Sequence, residues 1–69
     1  MTKFVIYRDV AGGYRWRLVA RNGEKVAASE AYVSKQEAIE SAQKVVVWAS
    51  EARIVDETTN VFRGLGLSN

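Results

Sequence analysis

Hydrophobic and polar positions first alternate with a period of two and later repeat at about 3.6, and the change between the two outlines a fold. Lys3 to Arg8 are rich in β-branched and aromatic residues and run into a turn cluster of Asp9, Ala11, Gly12 and Gly13, which predicts a strand and its exit. From Tyr14 to Arg21 the alternation is strict. Tyr14, Trp16, Leu18 and Ala20 share one face while Arg15, Arg17, Val19 and Arg21 share the other, the pattern of a strand with one buried side. Asn22-Gly23 then predicts a two-residue type I′ hairpin, because that turn needs positive φ at both central positions. Such a loop sets Arg21 opposite Glu24, Val19 opposite Val26, Leu18 opposite Ala27, Trp16 opposite Ser29 and Arg15 opposite Glu30. Opposite charges then meet on the arginine face, and small partners leave room above Trp16 and Leu18. With Phe4 and Ile6 on the Trp16 side, three antiparallel strands share one apolar face.

Ser34 and Glu37 have the spacing of a capping box, which starts a helix there, running to about Ser50. Ala38, Ala42, Val45 and Ala49 form a narrow stripe flanked by Ile39 and Val46, smooth enough to lie on a sheet. Phe4, Ile6, Trp16, Leu18, Ala38, Ala42 and Val45 are the expected core. Val47 falls in the middle of the polar side and Trp48 beside it. Either the last turn folds Trp48 back onto the domain, or Val46, Val47 and Trp48 make a second apolar surface that meets a partner. Ala52 to Thr58, with Ile54 and Val55 between charges, reads as a short fourth edge strand or an extended return segment. In the tail, apolar Val61, Phe62, Leu65 and Leu67 stand with Gly64 and Gly66, too flexible for a firm element unless docked on a surface. The expected architecture is an α+β fold: a three-stranded antiparallel sheet plus one helix (βββα), with a possible fourth short strand. Residues 1–59 form the single domain and residues 60–69 a tail, flexible or docked on a partner.

Length changes the picture by making this domain marginal. A chain of 69 residues buries only about 60% of the surface its unfolded form exposes. It has no His and no Cys, so the commonest general base, the thiol nucleophile and the commonest transition-metal ligands are missing, and disulfide staples are impossible. Small scaffolds without staples often self-associate. The apolar stretch near Met1 is too short for a signal-peptide core, and the longest strictly apolar run elsewhere, Val45 to Ala49, is far below the roughly 20 residues of a spanning helix. A soluble cytoplasmic protein without a membrane partner is expected.

Several of these residues together resemble the YegP-like family of small bacterial and archaeal proteins. The likeness is carried by Phe4-x-Ile6-Tyr7-x-Asp9, by Ala11-Gly12-x-Tyr14-Arg15-Trp16-Arg17-Leu18 and by Ala20-x-Asn22-Gly23-Glu24-x-x-Ala27-x-Ser29-Glu30-x-Tyr32-x-Ser34-Lys35. It finishes more weakly at Ala52-x-Ile54-x-Asp56. The resemblance implies a three-stranded sheet followed by a helix, with two such units pairing, as a homodimer where the chain holds one copy. It implies no activity, ligand or catalytic residue. Relatives commonly show Asn-Gly in the middle of the helix and a polar end, where Glu40-Ser41 and Val46-Val47-Trp48 stand here. So apolar an end would strengthen a dimer or build a higher assembly.

Charge adds one alternative. The net charge is only +2, but six of the ten basic residues precede position 34, with three acids among them. Arg15, Arg17 and Arg21 on one strand face, with Arg8 and Tyr7 on a neighbouring strand, are a candidate nucleic-acid face, since cations can track phosphates while bases stack on rings. Glu24 and Glu30 opposite Arg21 and Arg15 would consume part of that field. Glu37 and Glu40 share a helix face but read as a cap and a solvated surface rather than a metal site, and Ser29 with Lys25 or Lys35 lacks the buried lysine a nucleophilic dyad needs. Gly12-Gly13 and Gly64-x-Gly66 match no nucleotide-binding motif. No catalytic, metal or cofactor residue is expected. The reading is a non-catalytic homodimeric assembly or protein-interaction module with Val46, Val47, Trp48 and Phe62 as candidate contacts. Salt-dependent nucleic-acid binding through Arg8, Arg15, Arg17 and Arg21 is the alternative.

Overall fold

A computed structural model describes residues 1–58. Strands β1 (Lys3–Arg8), β2 (Tyr14–Val19) and β3 (Lys25–Ala28) form an antiparallel meander in the order β1-β2-β3, and helix α1 (Lys35–Glu51) comes after them. The expected βββα order is therefore present. Ala52–Thr58 is not a strand: the chain leaves the helix with extended backbone at Ala52 and joins no ladder, so the possible fourth strand does not form within one copy.

The first hairpin places Phe4 opposite Leu18 and Ile6 opposite Trp16, putting all four on the side that faces the helix. Its loop is built by Asp9, whose carboxylate accepts from the backbone N–H of Ala11 (3.0 Å) and Gly13 (2.8 Å). The Gly12 N–H donates to the Asp9 carbonyl, and the Asp9 N–H donates to the Gly13 carbonyl. The second hairpin repeats the pattern eleven positions on: the Gly23 N–H donates to the Ala20 carbonyl and the Ala20 N–H to the Glu24 carbonyl. Both turns put the positive φ on their final glycine alone, 90° at Gly12 and at Gly23. Each is a three-residue loop closed by a glycine bulge, so the two-residue type I′ turn expected at Asn22-Gly23 is corrected. Asn22 keeps negative φ and instead accepts from the Glu24 N–H through its side chain.

That correction shifts the register by one position next to the turn, where Val19 pairs with Lys25 rather than Val26. A second irregularity between Leu18 and Val19 shifts it back, so Leu18 pairs with Ala27 as expected and Arg17 with Ala28. Trp16 and Ser29 also meet: the Ser29 N–H donates to the Trp16 carbonyl and the Trp16 N–H to Ser29 Oγ, both at 2.9 Å. Two local departures cancel, and the predicted pairings of Leu18 with Ala27 and Trp16 with Ser29 are kept, whereas Val26 loses its predicted partner Val19.

The capping box is present, with Ser34 Oγ accepting from the Glu37 N–H and the Glu37 carboxylate accepting from the Ser34 N–H. The helix lies over β1 and β2 and makes no comparable contact with β3. Among the described residues only Trp16, Ala38 and Ala42 are buried, whereas Phe4, Ile6, Leu18 and Val45, expected in the core, are half-buried. One helix is too narrow to roof a three-stranded sheet whose outer edges, among the described residues, have no further strand beyond them.

Candidate functional site

The best-anchored part of the molecule is the seam between β2 and α1. Trp16 sits beneath the small Ala38 and Ala42 and meets the Phe4 ring edge-on, with centroids 5.1 Å apart and planes at 74°. Its Nε1–H donates to Ser41 Oγ at 3.0 Å, and Ser41 Oγ also shares a hydrogen bond of 2.9 Å with the Tyr32 hydroxyl. Tyr32 in turn is fixed by a two-way backbone pairing with Tyr14. Sequence reasoning missed this chain of hydrogen bonds. Its only signal was the serine directly before Ala42 on the apolar stripe, and nothing local says that an indole lies across from it.

On the β1 side the packing is incomplete. Phe4 and Ile6 from β1, with Ile39, Ala42, Gln43 and Val46 from α1, line a groove of about 220 Å³ to which β2 contributes no side chain. The groove therefore opens beside β1, an edge strand with no neighbour beyond it among the described residues. Val46 borders this groove, whereas Val47 and Trp48 lie on the other side of the helix, Trp48 being 61% exposed. The expected contact residues thus divide between two surfaces, and the folding-back of Trp48 does not occur. Phe62 lies outside the described residues. Beyond the helix the Ala52–Glu57 segment stands away from the domain, with Ile54 wholly exposed at 100% and Val55 at 63%.

The four arginines do not form one basic face. Arg8 pairs with Tyr14 across the strands, on the helix-facing side, and its guanidinium lies 5.0 Å from the Tyr14 ring centroid. Arg15 is bound to Asp9 at 2.7 Å, the one ion pair among the described residues, rather than to Glu30. This hydrogen bond, with those from the Gly13 and Ala11 N–H groups, holds the Asp9 carboxyl below its ordinary range, and Asp9 likewise raises the Arg15 guanidinium. Arg17 stacks over the Tyr7 ring at 4.6 Å on the outer side of the sheet, covering the aromatic surface on which a base would have stacked. Arg21 lies in the second turn and forms no ion pair with Glu24. The expected cross-strand charge pairs are absent because the three-residue loop takes Arg21 and Glu24 out of facing positions, and Asp9 reaches Arg15 first.

Among the described residues no group of three or more His, Cys, Asp or Glu could hold a metal ion, and no helix is long and apolar enough to cross a membrane. Glu37 serves the cap and Glu40 accepts from Gln36.

Comparison with known proteins accounts for the shared fold. Residues 9–56 match the model of a domain of unknown function, DUF1508. A UPF0339 protein of Methanosarcina acetivorans is 46% identical over 55 residues, covering 80% of this chain and 95% of the relative. Among solved structures, the solution structure of a Haloferax volcanii protein superposes with a TM-score of 0.71 at 38% identity, over 80% of this chain and 93% of that one. Protein ATU0232 of Agrobacterium tumefaciens gives 0.68 at 44% identity, over 86% and 95% respectively. The chain therefore belongs to a bacterial and archaeal family without an assigned biochemical function, the DUF1508 domain of the UPF0339 proteins, to which the YegP-like resemblance pointed.

Proposed function

We propose that the protein is a non-catalytic, cytoplasmic assembly module that works as a homodimer, residues 1–59 being its structural unit, and that two copies exchange their Ala52–Glu57 segments. The observation that carries this reading is the pairing of a vacancy with a plug. One copy offers an apolar groove along the open edge of β1, lined by Phe4, Ile6, Ile39, Ala42 and Val46. The same copy also extends a chain segment whose Ile54 is completely exposed and whose backbone joins no ladder. An extended segment laid along β1 gains ladder hydrogen bonds, and alternate side chains reach the groove. A two-fold pair makes the exchange twice, so each sheet gains the fourth strand that one copy lacks. The absence of His and Cys and the mutual pairing of Asp9 with Arg15 support a structural role over a catalytic one.

Ile54→Asp tests the proposal cleanly, because Ile54 touches nothing within its own copy. The variant is expected to keep the fold of the single copy while weakening the dimer by at least about 100-fold in sedimentation equilibrium, since two isoleucines, each contributing about 1.5–3 kcal/mol when buried, are lost per dimer. A wild-type chain that sediments as a monomer at tens of micromolar, or an unweakened Ile54→Asp dimer, removes the reading.

A further inference from the structure

We infer that the outer side of α1, around Val47 and Trp48, is the docking surface of this chain's own residues 60–69. A trough of about 380 Å³ bounded by Tyr32, Glu37, Ser41 and Lys44 continues into one of about 330 Å³ bounded by Gln43 and Val47, with Glu40, Lys44 and Trp48 common to both. This surface lies across the helix from the β1 groove and shares only Gln43 with it. Trp48 stands over it at 61% exposure, and Val47 at 53%. A tryptophan and a valine this open, on a helix whose other side is already engaged, call for a cover that the described domain does not supply.

The chain contains a segment suited to that role. The family model ends at residue 56, and relatives aligned over nearly their whole length still leave part of this chain unmatched. Residues 60–69 carry Val61, Phe62, Leu65 and Leu67, with Gly64 and Gly66 between them. Glycines beside Leu65 let the backbone approach a helix closely.

Chain length fits as well. At Asp56 the carboxylate accepts from both the N–H (2.9 Å) and the hydroxyl (2.6 Å) of Thr58, a turn at which the chain can reverse. Residues 59–69 span roughly 36 Å when extended, of which roughly 20 Å retraces the Ala52–Glu57 segment. The remaining distance of roughly 16 Å equals about ten residues of helix rise, which takes the tail from Glu51 back to the Glu40–Trp48 trough. In a two-fold pair there is one tail for every trough, so exchange of the segments leaves each trough covered.

Acrylamide quenching of tryptophan fluorescence in the full chain and in a chain truncated after Thr59 tests this directly. Trp16 is only 6% exposed, so the quenchable emission comes from Trp48. The truncated chain retains all of the matched family domain and the segment proposed to exchange, so its fold and sedimentation are expected to be unchanged. Its Trp48 is expected to be quenched several-fold more strongly, with emission shifted to the red. A synthetic peptide of residues 60–69 should reverse both changes, and Leu65→Asp in the full chain should reproduce them. Equal quenching in the full and truncated chains overturns the inference, whatever the oligomeric state, and a lost dimer with the quenching difference intact overturns only the assembly reading.

Discussion

The two tryptophans stand on opposite terms with the same helix. Trp16 is buried under Ala38 and Ala42, has an aromatic neighbour in Phe4 and gives its indole N–H to Ser41. Trp48, seven positions beyond Ser41, is mostly in solvent within the single copy. The difference teaches that burial in so small a domain is set by where its one helix crosses the sheet, and hydrophobicity alone does not place a residue inside. The helix crosses over β1 and β2, and the surfaces to either side stay open for other chain segments.

Substitutions should separate the two environments by magnitude. Trp16→Ala is expected to cost about 3–5 kcal/mol, enough to unfold most of the population, as read by chemical denaturation followed by far-ultraviolet dichroism. Ser41→Ala removes the shared partner of the Trp16 indole and the Tyr32 hydroxyl, and is expected to cost about 1–3 kcal/mol in the same measurement with the fold retained. Acid acts on the strand that carries Trp16. The Asp9 carboxyl has a folded-state value below its unfolded value of about 3.9, so its contribution is complete above that pH and disappears as pH falls through the lower folded value. Denaturation midpoints measured from pH 6 to pH 2 should fall in the acid range, and Asp9→Asn should flatten that part of the profile. At the small end, Trp48→Ala in a chain truncated after Thr59 should change stability by no more than about 0.5 kcal/mol. A large loss there would mean that the two tryptophans are less unlike than their surroundings indicate.

Much of the fold was legible locally. The alternation from Tyr14, the apolar β1 segment and the Ser34–Glu37 box each rest on interactions within a few residues, and each appears where expected. The second hairpin departs from its expected loop because Asn-Gly suits two turn types and only the backbone distinguishes them. Its register returns to the expected one at Leu18 opposite Ala27, beyond the irregularity that follows the turn. The candidate surface was half legible: Val46, Val47 and Trp48 stand out in the sequence as apolar surplus, but their division between two sides of the helix, and the role of Ile39 beside Phe4 and Ile6, depend on the angle at which α1 crosses the sheet. The placement of the arginines was legible only in part, for a similar reason. Strand alternation correctly put Arg15 and Arg17 on the outer side, but Arg8 belongs to the Phe4–Ile6 side by register, and Asp9 reaches Arg15 through a loop conformation.

By itself the amino-acid sequence determined the elements, their order, the side that β1 and β2 turn to the helix and the absence of thiol and imidazole side chains, because these stem from short-range sterics, periodicity and composition. Only the tertiary structure decided which strands the helix covers, which arginine meets a carboxylate, and that Ile54 and Trp48 are left facing outward on different surfaces. Those outcomes depend on contacts between residues far apart in the chain, whose geometry is fixed only when the whole domain packs.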